Sequence, residues 1–190
     1  YKDRMPRLKP RSIDELAACL ALIRGPASSS KMDEVYMEIL EGKKEIQHLH
    51  PLYDAITADT NGVLLYQEQV MKLAVAFGID LTTGYRIVKD GAKKRVDKLR
   101  QYRTRFVQNA LERDCDKDTA NQIFNLIEKS SLYSFNRSHA VSYAMVSYVC
   151  AYLKVHFPLH YMKNLLTSIF ASCTEKEYDQ TVEDVSYTHN

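Results

Sequence analysis

Between Arg86 and Arg105 the sequence sets nine basic residues (Arg86, Lys89, Lys93, Lys94, Arg95, Lys98, Arg100, Arg103, Arg105) against Asp90 and Asp97, a local balance of +7. The whole chain carries a formal charge of only +2, so the basic residues are concentrated rather than merely abundant. That is the electrostatic footprint of a polyanion site, because each lysine or arginine that neutralises a phosphate releases a condensed counterion. At about 3.6 residues per turn, Lys93 and Lys94 open a helix, and Lys98 and Arg105 follow one and three turns on, near one face. The stripe suits a duplex backbone or a triphosphate; the same pattern also fits a solvated helix face. Tyr85 and Tyr102 interleave with the charges, while Phe106 belongs to the apolar stripe of the same helix.

Two further clusters carry polar side chains at helix starts. The run Gly62-Val-Leu-Leu-Tyr-Gln-Glu-Gln-Val-Met71 puts Tyr66, Gln67, Glu68 and Gln69 at a helix entry, where they can cap the helix or meet a nucleic-acid backbone. The run Ser134-Phe-Asn-Arg-Ser-His-Ala140 brings Asn136, Arg137, Ser138 and His139 to the start of a long apolar helix. Free N–H groups and a positive dipole at such an end attract an anion. The simpler reading is that Ser138 caps and His139 hydrogen-bonds locally. His156 and His160 have the spacing of a metal pair, but Pro158 stands between them at a helix junction, so no metal site is predicted. Asp114, Asp116 and Asp118 lack the glycine and glutamate of a calcium loop and read as caps. With no phosphate loop of the G-x-x-x-x-G-K-[ST] kind and no nominated Ser-His-Asp set, no catalytic residue is proposed.

The elements that must position these residues are helices. Only 6 glycines and 5 prolines interrupt 190 residues that are 45% hydrophobic and 26% charged, and apolar residues recur at helical spacing in nearly every segment. The predicted class is all-α: a multi-helix domain with a buried central helix and at most one short extended segment, Val63 to Tyr66. Ser12 caps a first helix, with Glu15 completing a capping box, and Gly25-Pro26 stops it. A second helix follows the Ser28-Ser29-Ser30 run and ends before Gly42, and a loop with His48, His50 and Pro51 follows. After the Asp59-Thr60-Asn61-Gly62 turn, a helix from Gln67 ends at Gly78. Thr82 or Thr83 caps a short segment that Gly91 breaks, and the long basic helix then turns Val96, Leu99, Phe106, Val107, Ala110 and Leu111 inward. Asp116 or Asp118 caps the next helix. From Ser138 to His156 the sequence is apolar nearly all round, which predicts the buried central helix. Pro158 opens the last one. Residues 1–10 are expected as a poorly ordered lead-in, 11–172 as the helical domain and 173–190 as a polar segment leading to a further domain. The chain reads as cut from a longer one.

No apolar run reaches the ~18 residues of a membrane span. The four cysteines, Cys19, Cys115, Cys150 and Cys173, have neither disulfide-framework nor zinc spacing, which fits a reducing, cytoplasmic setting.

Four segments in order carry a family resemblance. Leu22-Ile-Arg-Gly-Pro26 resembles A-L-x-R-P-G-P, and Gly62 to Met71 resembles G-[IV]-x-x-Y-Q-E-Q-V-M almost letter for letter. Tyr133 to Tyr143 resembles Y-G-F-N-K-S-H-A-x-x-Y, and Ala151 to Pro158 resembles A-Y-L-K-x-H-[YF]-P. These are motifs of the fingers of the bacterial DNA polymerase III alpha subunit, the family C replicative polymerases. The resemblance covers residues 8 to 172 and implies a palm, thumb and helical fingers, with magnesium ions held by palm aspartates outside this chain. The chain alone is then inactive. Its partners are primer-template DNA, a deoxynucleoside triphosphate and the palm and other domains of the parent polymerase, with no membrane. By resemblance, Arg24, Lys89, Lys93, Lys94, Asn136, Arg137, Ser138 and His139 bind the nucleotide and its phosphates. Tyr66, Gln67, Gln69, Arg86, Arg95, Lys98 and Arg105 face DNA. Aligned without gaps, Val88 stands where the family has the first of two arginines and Lys89 where it has the second, while Lys93 and Lys94 match. The arginine-proline turn is one proline short and Ser134 replaces a glycine. These departures keep open a non-catalytic nucleic-acid-binding module derived from a polymerase. A third reading, a helical protein-interaction scaffold, predicts no salt-dependent DNA binding.

Overall fold

The computed structural model describes residues 4–23 and 31–172. These form ten α-helices and one 3₁₀ turn. They are α1 (Met5–Leu8), α2 (Ile13–Leu22), α3 (Met32–Leu40), α4 (Pro51–Thr57), the 3₁₀ turn Ala58–Thr60, α5 (Gln67–Ala76), α6 (Leu81–Ala92), α7 (Val96–Leu111), α8 (Lys117–Ser131), α9 (Arg137–His156) and α10 (Pro158–Ser172). Caps explain most boundaries. The Ser12 hydroxyl accepts from Glu15 N–H at 3.1 Å while the Glu15 carboxylate accepts from Arg11 N–H at 2.6 Å. Asp116 accepts from the N–H groups of Asp118 and Thr119. Gly78, at φ +78°, ends α5 in the left-handed region where glycine is strain-free. The cap of α6 is Asp80, which accepts from Thr83 N–H at 2.8 Å, so the expected Thr82 or Thr83 cap moves upstream. The expected loop holds through His50, and Pro51 opens α4, because the His50 ring nitrogen accepts from Leu52 N–H and Pro51 suits a first helical turn. Within the expected lead-in, Met5–Leu8 form a helical turn and Leu8 is buried.

Tertiary contacts divide the chain into two units, residues 1–144 and 145–190. The first holds two apolar clusters. One packs α4 to α8 around a chain of rings, Phe77 to Phe106 at 4.8 Å and Phe106 to Phe124 at 5.4 Å. Tilted rings at this spacing match positive edges to negative faces. The other joins α1, α2, α3, the Leu65–Tyr66 segment and the first turns of α9. Cys19 lies in this cluster, and burial pushes its thiol up to about 11, so it acts as a small hydrophobe. In the second unit, α9 ends at His156 and α10 starts at Pro158, with the Phe157 N–H closing on Leu153 O.

Three expectations about the helices are corrected. Gly91 does not break α6 but lies within its last turn, where it lets α6 touch α8: a Cβ there would meet the Ser131 Cβ at 2.3 Å. Val96 and Leu111 are exposed, so the inward face of α7 narrows to Leu99, Phe106 and Ala110, with Val107 partly buried. The central helix is not buried along its length. In α9 only Ala140 and Ala144 are buried among the described residues, whereas Val146 is 61% exposed and Tyr143, Met145, Tyr148 and Val149 are likewise exposed. An apolar sequence on all sides records an apolar preference, not which partner satisfies it. The two alanines are small and one turn apart, which is what close approach to the second cluster requires.

Among the described residues the one bridge of extended chain pairs Tyr66 with Phe135 in parallel. It consists of Phe135 N–H to Leu65 O at 3.0 Å and Gln67 N–H to Phe135 O at 2.9 Å. Behind it lies Gln69, 2% exposed, whose amide oxygen accepts from the N–H groups of Leu65 and Tyr66, both at 2.9 Å. Its amide nitrogen donates to Ile56 O at 3.2 Å, Asp59 Oδ1 at 3.3 Å and Thr60 Oγ1 at 2.7 Å. Ser130 Oγ donates to Leu64 O at 2.9 Å and so ties α8 to the same segment.

Two stability outcomes follow from these contacts. Gly91→Ala lowers the unfolding free energy in urea by about 1–3 kcal/mol through overpacking, and adding Ser131→Gly recovers part of it because it removes the opposing Cβ. Gln69→Leu strands two buried N–H donors and costs about 2–4 kcal/mol in the same measurement.

Candidate nucleic-acid interface

The basic stripe is not one helix face but a corner between two helices. Lys93 is the residue after α6, Lys94 has φ +53°, and α7 begins at Val96, so Lys93 and Lys94 do not open the helix as expected. The corner is closed by Asp90. Its backbone carbonyl accepts from Arg95 N–H at 3.0 Å, and its carboxylate takes Arg95 Nη1 and the Tyr102 hydroxyl, each at 2.9 Å. Burial alone would raise the Asp90 carboxyl, but the Tyr102 hydroxyl and the Lys98 and Arg95 charges outweigh it and hold it below the usual carboxylate range. Val88, where the family motif has an arginine, is 5% exposed and packs in the first apolar cluster, while Lys89 is exposed with its ammonium 4.8 Å from the Tyr85 ring centre.

The nine cations divide by what holds them. Arg103 spans from α7 to α8, donating to Asn121, Asn125 and Glu128 and lying 5.0 Å from the Phe124 ring centre. Arg105 stands 3.7 Å from Asp80, and Arg95 is taken by Asp90. Arg86, Lys89, Lys93, Lys94, Lys98 and Arg100 are exposed and make no ion pair among the described residues.

The second cluster is more internal than its sequence implies. Gln69 and Tyr66 are each 2% exposed, so neither presents its polar group to a ligand: Gln69 is spent on backbone, and burial pushes the Tyr66 hydroxyl well above its ordinary pKa. Gln67 is half-buried and donates to Ser134 O at 3.3 Å. The start of α9 already holds an anion, the protein's own. Glu68 accepts from Arg137 N–H at 3.0 and 3.1 Å and from the Asn136 amide at 2.9 Å. The cap is Asn136, whose oxygen accepts from His139 N–H at 2.8 Å, and not Ser138. The Arg137 guanidinium donates to Asp59, lies 3.5 Å from Asp14 and sits 5.4 Å from the Tyr66 ring centre. Ser138 and His139 remain exposed, the His139 ring packed between Phe135 at 5.3 Å and Tyr143 at 4.5 Å.

Arg24 lies outside the described residues. Sequence reasoning missed Asp59, Asp90 and the role of Glu68; Glu68 and Arg137 are 69 positions apart, and no local spacing signals their meeting. Among the described residues no three His, Cys, Asp or Glu side chains gather where a metal ion could be held. Among them, too, no helix is long and apolar enough to cross a membrane.

Residues 1–114 match the family described as the bacterial DNA polymerase III alpha subunit finger domain. The chain is 36% identical over 170 residues to the DNA polymerase III subunit alpha of Bacillus subtilis, covering 88% of this chain and 15% of that protein. It is 36% identical over 169 residues to the Aquifex aeolicus protein of the same name, covering 88% and 14%, and 34% identical over 185 residues to that of Staphylococcus aureus, covering 95% and 17%. The chain thus spans about a sixth of the length of these relatives. With four family motifs in order on an all-helical frame, the chain belongs to the bacterial DNA polymerase III alpha subunit finger domain family.

Proposed function

We propose that the chain is the fingers part of a DNA-templated DNA polymerase and that its α6–α7 corner holds phosphates of the incoming nucleotide or the primer-template. One observation carries this reading. Six exposed cations at the corner, Arg86, Lys89, Lys93, Lys94, Lys98 and Arg100, stand free of ion pairs among the described residues, while Asp90 is taken by Arg95, Glu128 by Arg103 and Asp80 by Arg105, which leaves Asp97 as the exposed acid within the stripe. A surface on which six such cations face one exposed acid keeps a positive excess available for a polyanion. Ser138 and His139, exposed at the start of α9, are the other groups available to a nucleotide.

Phosphoryl transfer asks little covalent chemistry of such a domain. Cations that cradle the triphosphate and a fixed surface against the reacting pair supply positioning and charge stabilisation. The metal-binding aspartates and the bond-making step belong, by resemblance, to the palm, and the isolated chain should not extend a primer. The burial of Val88 favours a second reading, a polymerase-derived module that binds nucleic acid without catalysis. A valine in the apolar cluster offers no bidentate phosphate contact, and only Lys89 of that pair remains outside. Template-directed extension by the full-length protein supports the polymerase; its absence with DNA binding intact supports the module.

For either reading, fluorescence anisotropy with a primer-template duplex across a salt series should give binding that weakens steeply with salt. Lys93→Glu/Lys94→Glu should bind more weakly and reduce the log–log salt slope by about 1–2. An unchanged slope in a folded variant assigns the corner to solvent.

A further inference from the structure

Among the charged side chains near the start of α9, Arg137 is spent on the protein's own carboxylates. Its backbone N–H is held by Glu68, in the first turn of α5, and its guanidinium reaches Asp59 of the 3₁₀ turn and Asp14 of α2 while lying over the buried Tyr66 ring. Four separate parts of the first unit therefore converge on the first residue of α9. The residues just beyond it, Ser138 and His139, are exposed. The planar guanidinium suits this task, since its forked donors reach two carboxylates on different elements, which a lysine ammonium on a flexible stem does not reproduce.

We infer that Arg137 is a positioning residue: it anchors the start of α9 to Asp59 and Asp14 and thereby sets where Ser138 and His139 stand, instead of contacting nucleotide phosphate itself. The inference rests on the proposed nucleotide role of Ser138 and His139. Asp59 makes it testable, because Asp59 meets the anchor and not the exposed face. Gln69 also donates to Asp59 Oδ1, and an asparagine preserves that acceptor through its side-chain oxygen while removing the charge that holds Arg137.

Two measurements separate the possibilities. Hydrogen exchange on the 190-residue chain should show the amides of Arg137, His139 and Ala140 exchanging about tenfold faster in Asp59→Asn and in Arg137→Lys, with protection in α6 to α8 unchanged. In the full-length protein, single-nucleotide primer extension should show both variants raising the nucleotide KM several-fold at unchanged primer-template affinity. The double variant should then be no worse than either single one. Simple loss of folded protein would lower the active fraction and leave KM alone. Wild-type exchange at the start of α9 in Asp59→Asn overturns the inference. So does an unchanged KM in Asp59→Asn beside a raised KM in Arg137→Lys, because Arg137 then meets the ligand directly. If the wild-type protein shows no extension, the polymerase reading falls and the exchange result alone decides the anchor.

Discussion

The buried amide of Gln69 is the interaction on which the layout of the first unit depends. A chain passing between two apolar clusters exposes backbone donors where water is excluded, and an unpaired donor there costs as much as a lost hydrogen bond. Gln69 accepts from two of them, at Leu65 and Tyr66, and returns its own protons to Ile56, Asp59 and Thr60. With the inner side of the segment satisfied, Leu65 O and Gln67 N–H face Phe135, and the parallel bridge they make brings the start of α9 to its place. The amide that looks from sequence like a DNA contact is thus the group that allows distant chain segments to meet.

Charge is arranged by the same logic of internal satisfaction. Buried or partly buried carboxylates near the functional surface have dedicated donors: Asp90 has Arg95 and the Tyr102 hydroxyl, Glu128 has Arg103, and Glu68 has the start of α9, while the more exposed Asp59 has Arg137. Burying a carboxylate without such partners would be costly, so these pairs are conditions of folding before they are features of a site. Their consequence is functional. With these acids spent, the cations left over at the α6–α7 corner outnumber the exposed Asp97 and make no ion pair among the described residues, and a surface of modest net charge acquires a local positive field.

Helix α9 shows how one element can serve two environments. Its first turns carry Asn136 as cap, Arg137 as tie and Ala140 and Ala144 as the small residues against the second cluster. Beyond Ala144 its tyrosines, valines and methionine are exposed among the described residues. In a chain that spans about a sixth of its relatives' length, apolar patterning on every face reports on the environment the helix prefers rather than on contacts the chain makes by itself.

The sequence by itself determined the all-helical class, most helix cores, the cap at Ser12, a cap at Asp116 or Asp118 from which the structure selects Asp116, the turn within Asp59 to Gly62 and the family. All of these depend on side-chain periodicity, capping chemistry or ordered motifs within about a dozen residues, and local physics writes them legibly. Only the tertiary structure decided which polar residues face outward. Gln69 and Tyr66 turn inward because the segment before α5 lies between two clusters, and Arg137 is drawn to Asp59 and Asp14, 78 positions away in one case. It also decided that Gly91 is a contact point rather than a break, because Ser131 of α8 occupies the space its side chain would need. The physical reason is common to these cases. A polar side chain's role is set by which donors, acceptors and charges lie within about 3 Å of it, and for residues far apart in sequence that proximity is created only when the helices pack.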